Sequence, residues 1–119
     1  MNITVYLGAN EGNTPALKAA VQELGRWIGE SGNALIYGGK TKMIELGDAF
    51  IAFPGGTGTL EEIAEVMSKV SLKHLDAPCI LYDLDGYYTG LRMLLSHMIE
   101  TGLSSEERQK GIYFAKDLA

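Results

Sequence analysis

Four short apolar runs set the limits on this chain: Ile3 to Leu7, Ala34 to Tyr37, Asp48 to Phe53 and Pro78 to Tyr82. None has the strict in-out alternation of a strand with one wet face, and Asp48 is the one charge among them. Strands that are apolar on both sides must be covered on both sides, which a parallel sheet with crossover helices achieves. The intervening stretches have helical periodicity. Leu17, Val21, Leu24 and Ile28 recur at i, i+4, i+7 and i+11, with Trp27 beside them. Thr14 and Pro15 read as the N-cap and first residue of that helix, and Ser31-Gly32-Asn33 as its end. Lys40 to Gly47 looks helical. A helix is predicted from Thr59 to about Leu72, with Leu60, Ile63, Ala64, Met67 and Val70 as its inner face, and another from Tyr87 to Glu100, stopped by Gly102. The fold class expected is α/β, a Rossmann-like doubly wound parallel sheet with helices on both faces. The 119 residues suit a single domain.

One connection does not fit that scheme. A right-handed crossover between parallel strands takes a dozen or more residues, usually with a packed helix. Between Tyr37 and Ala49 there is barely that, and Gly38-Gly39 use part of it. The sequence is compressed between Gly39 and Lys40.

Charge and cysteine content narrow the function classes. A net charge of −5 argues against a general nucleic-acid binder, which needs a basic stripe. It leaves room for a small anion held by backbone N–H groups. The single cysteine, Cys79, lies in an apolar run and reads as a buried thiol. One cysteine and two histidines do not make a structural zinc site, and no metal is expected. The N-terminus lacks the basic and apolar regions of a signal peptide, and no apolar run approaches a membrane span, so a cytoplasmic protein is expected.

The segment richest in chemistry is Pro54-Gly55-Gly56-Thr57-Gly58-Thr59-Leu60-Glu61-Glu62. It leads from a strand into a helix, whose first turn offers unpaired N–H groups and the positive end of the helix dipole. Pro54 stops the strand, and Gly55, Gly56 and Gly58 are expected to supply positive φ angles and close backbone approach to a phosphate. Thr57 and Thr59 add hydroxyls. The turn lacks the Gly-Lys-Ser/Thr ending of a Walker loop, and Glu61 stands where a dinucleotide fingerprint has its third glycine. A monophosphate is therefore the ligand expected. Thr59-Leu60-Glu61-Glu62 is also the pattern of a capping box, which would give Glu62 a purely structural use.

These residues resemble the PGGxGTxxE signature of the LOG ("lonely guy") family of cytokinin riboside 5′-monophosphate phosphoribohydrolases, long labelled lysine decarboxylases. Lys40-Thr41-Lys42-Met43 and Leu46-Gly47-Asp48-Ala49-Phe50 are similar to the family's RKxxM…L-x-DAF segment, Ile3 to Gly12 to its first strand and loop, and Pro78 to Tyr88 to a late strand and Gly-Tyr-Tyr turn. The resemblance implies a hydrolase that cleaves the N-glycosidic bond of a purine-type nucleoside 5′-monophosphate, such as AMP or a cytokinin nucleotide. It implies Glu62 as the catalytic carboxylate. Gly8, Ala9, Lys40, Gly55, Gly56, Thr57, Gly58 and Thr59 would bind substrate, without metal or organic cofactor. A homodimer or larger homo-oligomer is implied, with no nucleic-acid or membrane partner.

The chain departs from the family pattern in three places. Gly39 stands where the family has an arginine, and a Gly-Leu-Met-Gly loop with the helix and strand after it is missing at the same Gly39–Lys40 junction. Either the natural protein lacks this segment, or the two residues are not neighbours in the natural chain. Ser68-Lys69-Val70-Ser71 replaces a Thr-Trp-x-Gln run of plant members, which leaves the preferred base open. The alternative from another class is a non-catalytic nucleotide or molybdenum-cofactor carrier of the same fold. His74 and His97 read as solvated or structural, Tyr87 and Tyr88 as packing residues at a pocket edge, and Arg92 and Arg108 as partners for surface acids.

Overall fold

The computed structural model describes residues 2–7, 15–36 and 47–116. Five strands form one parallel sheet: β1 (Asn2–Tyr6), β2 (Ala34–Ile36), β3 (Ala49–Ala52), β4 (Cys79–Tyr82) and β5 (Ile112–Ala115), in the order β2-β1-β3-β4-β5. The expected doubly wound α/β architecture is present. β1 is an interior strand: Ile3 pairs with Leu35 on one side and Ala49 on the other, and Tyr6 lies beside Ala52.

Lack of alternation in the strands has the cause the sequence suggested, since both faces are covered. On one face Ile3, Val5, Ile51, Phe53 and Tyr82 meet Ala20, Leu24 and Ile28 of helix α1 (Pro15–Glu30), with Leu17 and Val21 packed at the margin. On the other, Tyr6, Phe50, Ala52, Cys79 and Leu81 meet Ile63, Val66, Met67 and Val70 of α2 (Thr57–Ser71), and Leu95 of α3 (Thr89–Glu100). Within β3, Phe50 and Ala52 face α2 while Ile51 and Phe53 face α1, the two-residue period of a strand. Cys79 is fully buried, and burial pushes its thiol up to about 12.

Several details differ from the expectations. Helix α2 starts at Thr57, two residues earlier than predicted. Its inner face includes Val66, whereas Leu60 is 44% exposed and Ala64 lies in solvent. Leu60 sits in the first turn, at the margin of the packed stripe. Trp27 is likewise 45% exposed, because α1 turns only its Leu24/Ile28 stripe to the sheet. The sequence reading missed β5; Ile112-Tyr113-Phe114-Ala115 is a β-prone run, but one too short to stand out beside the helical periodicity before it. Helix α3 begins at Thr89, since the 3₁₀ turn Leu84–Gly86 and the two tyrosines after it precede the regular helix. Among the described residues no helix is long and apolar enough to cross a membrane. The helix read at Lys40 to Gly47 falls outside the described residues except for Gly47, and the Gly39–Lys40 junction lies wholly outside them.

Candidate functional site

In this strand order the chain runs outward in opposite directions from β1 and β3. The C-terminal ends of these two neighbours are thus the topological switch point of the sheet, where open α/β sheets bind ligands. Tyr6 and Ala52 are paired at that edge, and the Phe53 N–H extends the pairing by donating to the Tyr6 carbonyl at 2.9 Å. The glycine turn leaves β3 directly from this point. Pro54 is buried, whereas Gly56, Thr57 and Gly58 lie open to solvent.

Two expectations about this turn need correction. The capping box does not form: the N-cap of α2 is Gly56, with extended backbone (φ −91°, ψ −160°) and no side-chain cap hydrogen bond. The first helical bond runs from Leu60 N–H to the Gly56 carbonyl, 3.1 Å. Thr59 is thus already the third helical residue, and Glu62, a turn further on, is out of reach of the capping role. Positive φ is not the reason for the glycines either, since neither Gly56 nor Gly58 has it. A Cβ on either would meet nothing within 4 Å. Both positions are open to solvent, so neither glycine brings a side chain to the start of the helix. Of the two threonines, Thr57 is exposed and Thr59 is 4% exposed, so only Thr57 is open to an incoming ligand.

Glu62 is half-buried. Its position is reported by Tyr6, whose side chain is 1% exposed and whose hydroxyl has no hydrogen-bond partner among the described residues. Burial first, then the carboxylates of Glu62 and Glu65, push that hydroxyl up to about 12. Glu62 is therefore close enough to the Tyr6 hydroxyl, at the C-terminal end of β1, to act on it electrostatically. The acidic group and the uncapped helix end share one side of the sheet.

Two contributors were read from sequence as packing residues at a pocket edge, with no bond to the glycine turn. The Tyr88 hydroxyl, buried, donates to the Phe53 carbonyl at 2.7 Å, and the Tyr87 hydroxyl donates to the Gly55 carbonyl. The signal in the sequence is Asp85-Gly86 just before them, a turn that re-aims the chain. Lys40, Gly8 and Ala9 lie outside the described residues. Arg92 lies over the Phe114 ring, 5.5 Å from its centroid, in place of the surface ion pair expected. His97 faces Glu100 at 3.6 Å on exposed surface, and His74 is exposed. Among the described residues no cluster of His, Cys, Asp and Glu is arranged to hold a metal. A groove lined by Val70, Lys73, Leu75 and Tyr113 opens near the N-terminal ends of β4 and β5, away from the glycine turn.

Comparison with known proteins identifies the family. A family model described as "Possible lysine decarboxylase" matches residues 34–119. A cytokinin riboside 5′-monophosphate phosphoribohydrolase of Rhodococcoides fascians is 38% identical over 79 residues, covering 66% of this chain and 40% of that protein. One of Arabidopsis thaliana is 44% identical over 71 residues, covering 59% of this chain and 33% of its own length. A probable enzyme of the same name from Oryza sativa subsp. japonica is 27% identical over 150 aligned positions, covering 84% of this chain and 65% of the relative. The chain thus spans between about a third and two thirds of the length of these three relatives. The matched region includes β3, the glycine turn and α2 with Glu62, and on that basis this chain belongs to the LOG family, whose model carries the lysine decarboxylase description.

Proposed function

We propose that this chain binds a nucleoside 5′-monophosphate at the switch point between β1 and β3 and hydrolyses its N-glycosidic bond. The observation that carries this reading is the uncapped start of α2, kept open by Gly56 and Gly58, with Glu62 one turn away and not used as a cap. First-turn N–H groups and the helix dipole would hold the phosphate, fixing the ribose in place. Glu62 would stabilise the positive charge that develops at the sugar as the bond to the base breaks. Water supplies the oxygen that bonds to the anomeric carbon, and its proton leaves with the base. The names of the relatives favour a cytokinin nucleotide as substrate, and AMP is the simplest purine analogue. A homodimer or larger homo-oligomer in the cytoplasm completes the proposal.

The compressed β2–β3 connection belongs to the same reading. The alignment with the Oryza sativa protein runs over 150 positions, more than the 119 residues here, so part of that relative faces a gap. A gap of this kind supports a missing segment, which the short β2–β3 connection assigns to Gly39–Lys40. Gly39 in place of the family's arginine favours a second reading, a nucleotide or molybdenum-cofactor carrier that binds without turnover.

One assay separates the two. The full chain is incubated with AMP and with isopentenyladenosine monophosphate, and free base is followed by chromatography. Hydrolysis predicts free base from the wild type, none from Glu62→Gln, and unchanged nucleotide binding by that variant. Full turnover by Glu62→Gln overturns the role of Glu62. Binding with no base released selects the carrier.

A further inference from the structure

The turn does not hold its shape unaided. After β4 the chain passes through Asp85 (φ 51°) and Gly86 (φ 73°), two successive left-handed residues that reverse its direction. At Gly86 a Cβ would come within 3.1 Å of the Thr89 hydroxyl. Asp83, 4% exposed, fixes the far side of this bend. Its N–H donates to the Ala115 carbonyl at 2.7 Å, and its Oδ1 accepts the Tyr88 N–H at 2.7 Å. So anchored, Tyr87 and Tyr88 pack edge to face, with ring centroids 5.1 Å apart, and both hydroxyls reach the segment that leaves β3. Their acceptors, the carbonyls of Gly55 and Phe53, lie on either side of Pro54.

The two hydrogen bonds have different consequences. The Phe53 carbonyl belongs to the peptide unit whose nitrogen is Pro54, which has no N–H to aim, so the Tyr88 bond holds the end of the strand. Burial raises the Tyr88 hydroxyl well above its ordinary value, so it remains a donor at any physiological pH. The Gly55 carbonyl shares its plane with the Gly56 N–H, and in a trans peptide these two groups point in opposite directions. Fixing the carbonyl fixes the N–H. Accepting a hydrogen bond at that oxygen also polarises the unit and strengthens its N–H as a donor.

The geometry points to Tyr87 as a positioning residue that aims the Gly56 N–H at the bound phosphate, with Tyr88 and Asp83 holding it in place; the inference rests on the phosphate reading of the turn. Tyr87 is 54% exposed, so loss of its hydroxyl leaves the core untouched. The test measures dissociation constants of the full chain for AMP, ribose 5-phosphate and adenosine, together with the Gly56 amide resonance of the unliganded protein. In Tyr87→Phe the Gly56 resonance shifts. AMP and ribose 5-phosphate weaken together by about two- to tenfold, the range of one lost neutral hydrogen bond, while adenosine is unaffected. Equal weakening for all three ligands, as a general structural role would give, overturns the inference, as does an unmoved Gly56 resonance. Tyr88→Phe provides the second variant, with a lower melting temperature and the same preference for phosphate-bearing ligands. Failure of the wild type to bind AMP or ribose 5-phosphate overturns the phosphate reading and the ligand role of Tyr87 with it; an unmoved resonance in a protein that does bind them overturns the positioning role alone.

Discussion

Replacing Gly58 with alanine sets folding and function against each other. Gly58 is the second residue of α2, it is exposed, and an added Cβ would meet nothing within 4 Å. Glycine inside a helix costs about 0.8–1 kcal/mol relative to alanine, and in the first turn, where fewer dihedrals are fixed by hydrogen bonds, about 0.5 kcal/mol is a fair share. Gly58→Ala should therefore raise the melting temperature of the unliganded protein by about 2 °C. The same methyl group occupies space that a phosphate needs in order to reach the first-turn N–H groups. Pushing the phosphate off two such donors costs about 3 kcal/mol or more, a hundredfold loss of affinity or greater. The assay is thermal melting with and without AMP. For the wild type, AMP at about 100 times its dissociation constant adds about 2.7 kcal/mol of stability, a shift of about 10 °C. The variant should melt slightly higher than the wild type when empty and show almost no shift with AMP. If it melts lower when empty, Gly58 serves the fold. If it keeps the full shift, the phosphate does not sit against this turn.

Gly47→Ala should do the reverse: its Cβ would fall 2.4 Å from the Thr4 hydroxyl and 2.9 Å from ring carbons of fully buried Phe50. A loss of about 1–3 kcal/mol is expected in urea unfolding, against a gain of about 0.5–1 kcal/mol for exposed Gly29→Ala in α1; a Gly47→Ala midpoint equal to wild type would refute the packing. Stability should also fall in alkali. Cys79 and Tyr6 hold their protons to about pH 12 in the folded protein, against 9.0 and 10.0 ordinarily. The native state binds these protons more tightly, so their contribution is complete below pH 9 and lost as pH rises towards 12, with a slope of at most about 1.4 kcal/mol per pH unit for each group. Urea midpoints should be flat up to about pH 9 and decline above it, with a shallower decline in Cys79→Ala; a flat profile to about pH 11 would refute this.

Much of this molecule is legible in its sequence, because burial on both faces of a sheet leaves a local mark. The non-alternating runs gave β1 to β4, the Leu24/Ile28 stripe gave α1, and the glycine-rich turn marked where strand becomes helix. β5 was not legible, since a short edge strand is defined by its neighbour β4 more than by its own composition. The tertiary structure decided what the turn is for. Capping depends on which residue first takes helical angles, and an N-cap at Gly56, three residues before Thr59, moved Glu62 out of the cap. The strand order brought the ends of β1 and β3 together, and with them Tyr6, Glu62 and the turn. Spacing along the chain also carries no sign that Tyr87 reaches Gly55, 32 residues away, because that contact exists only once β3 and β4 lie side by side.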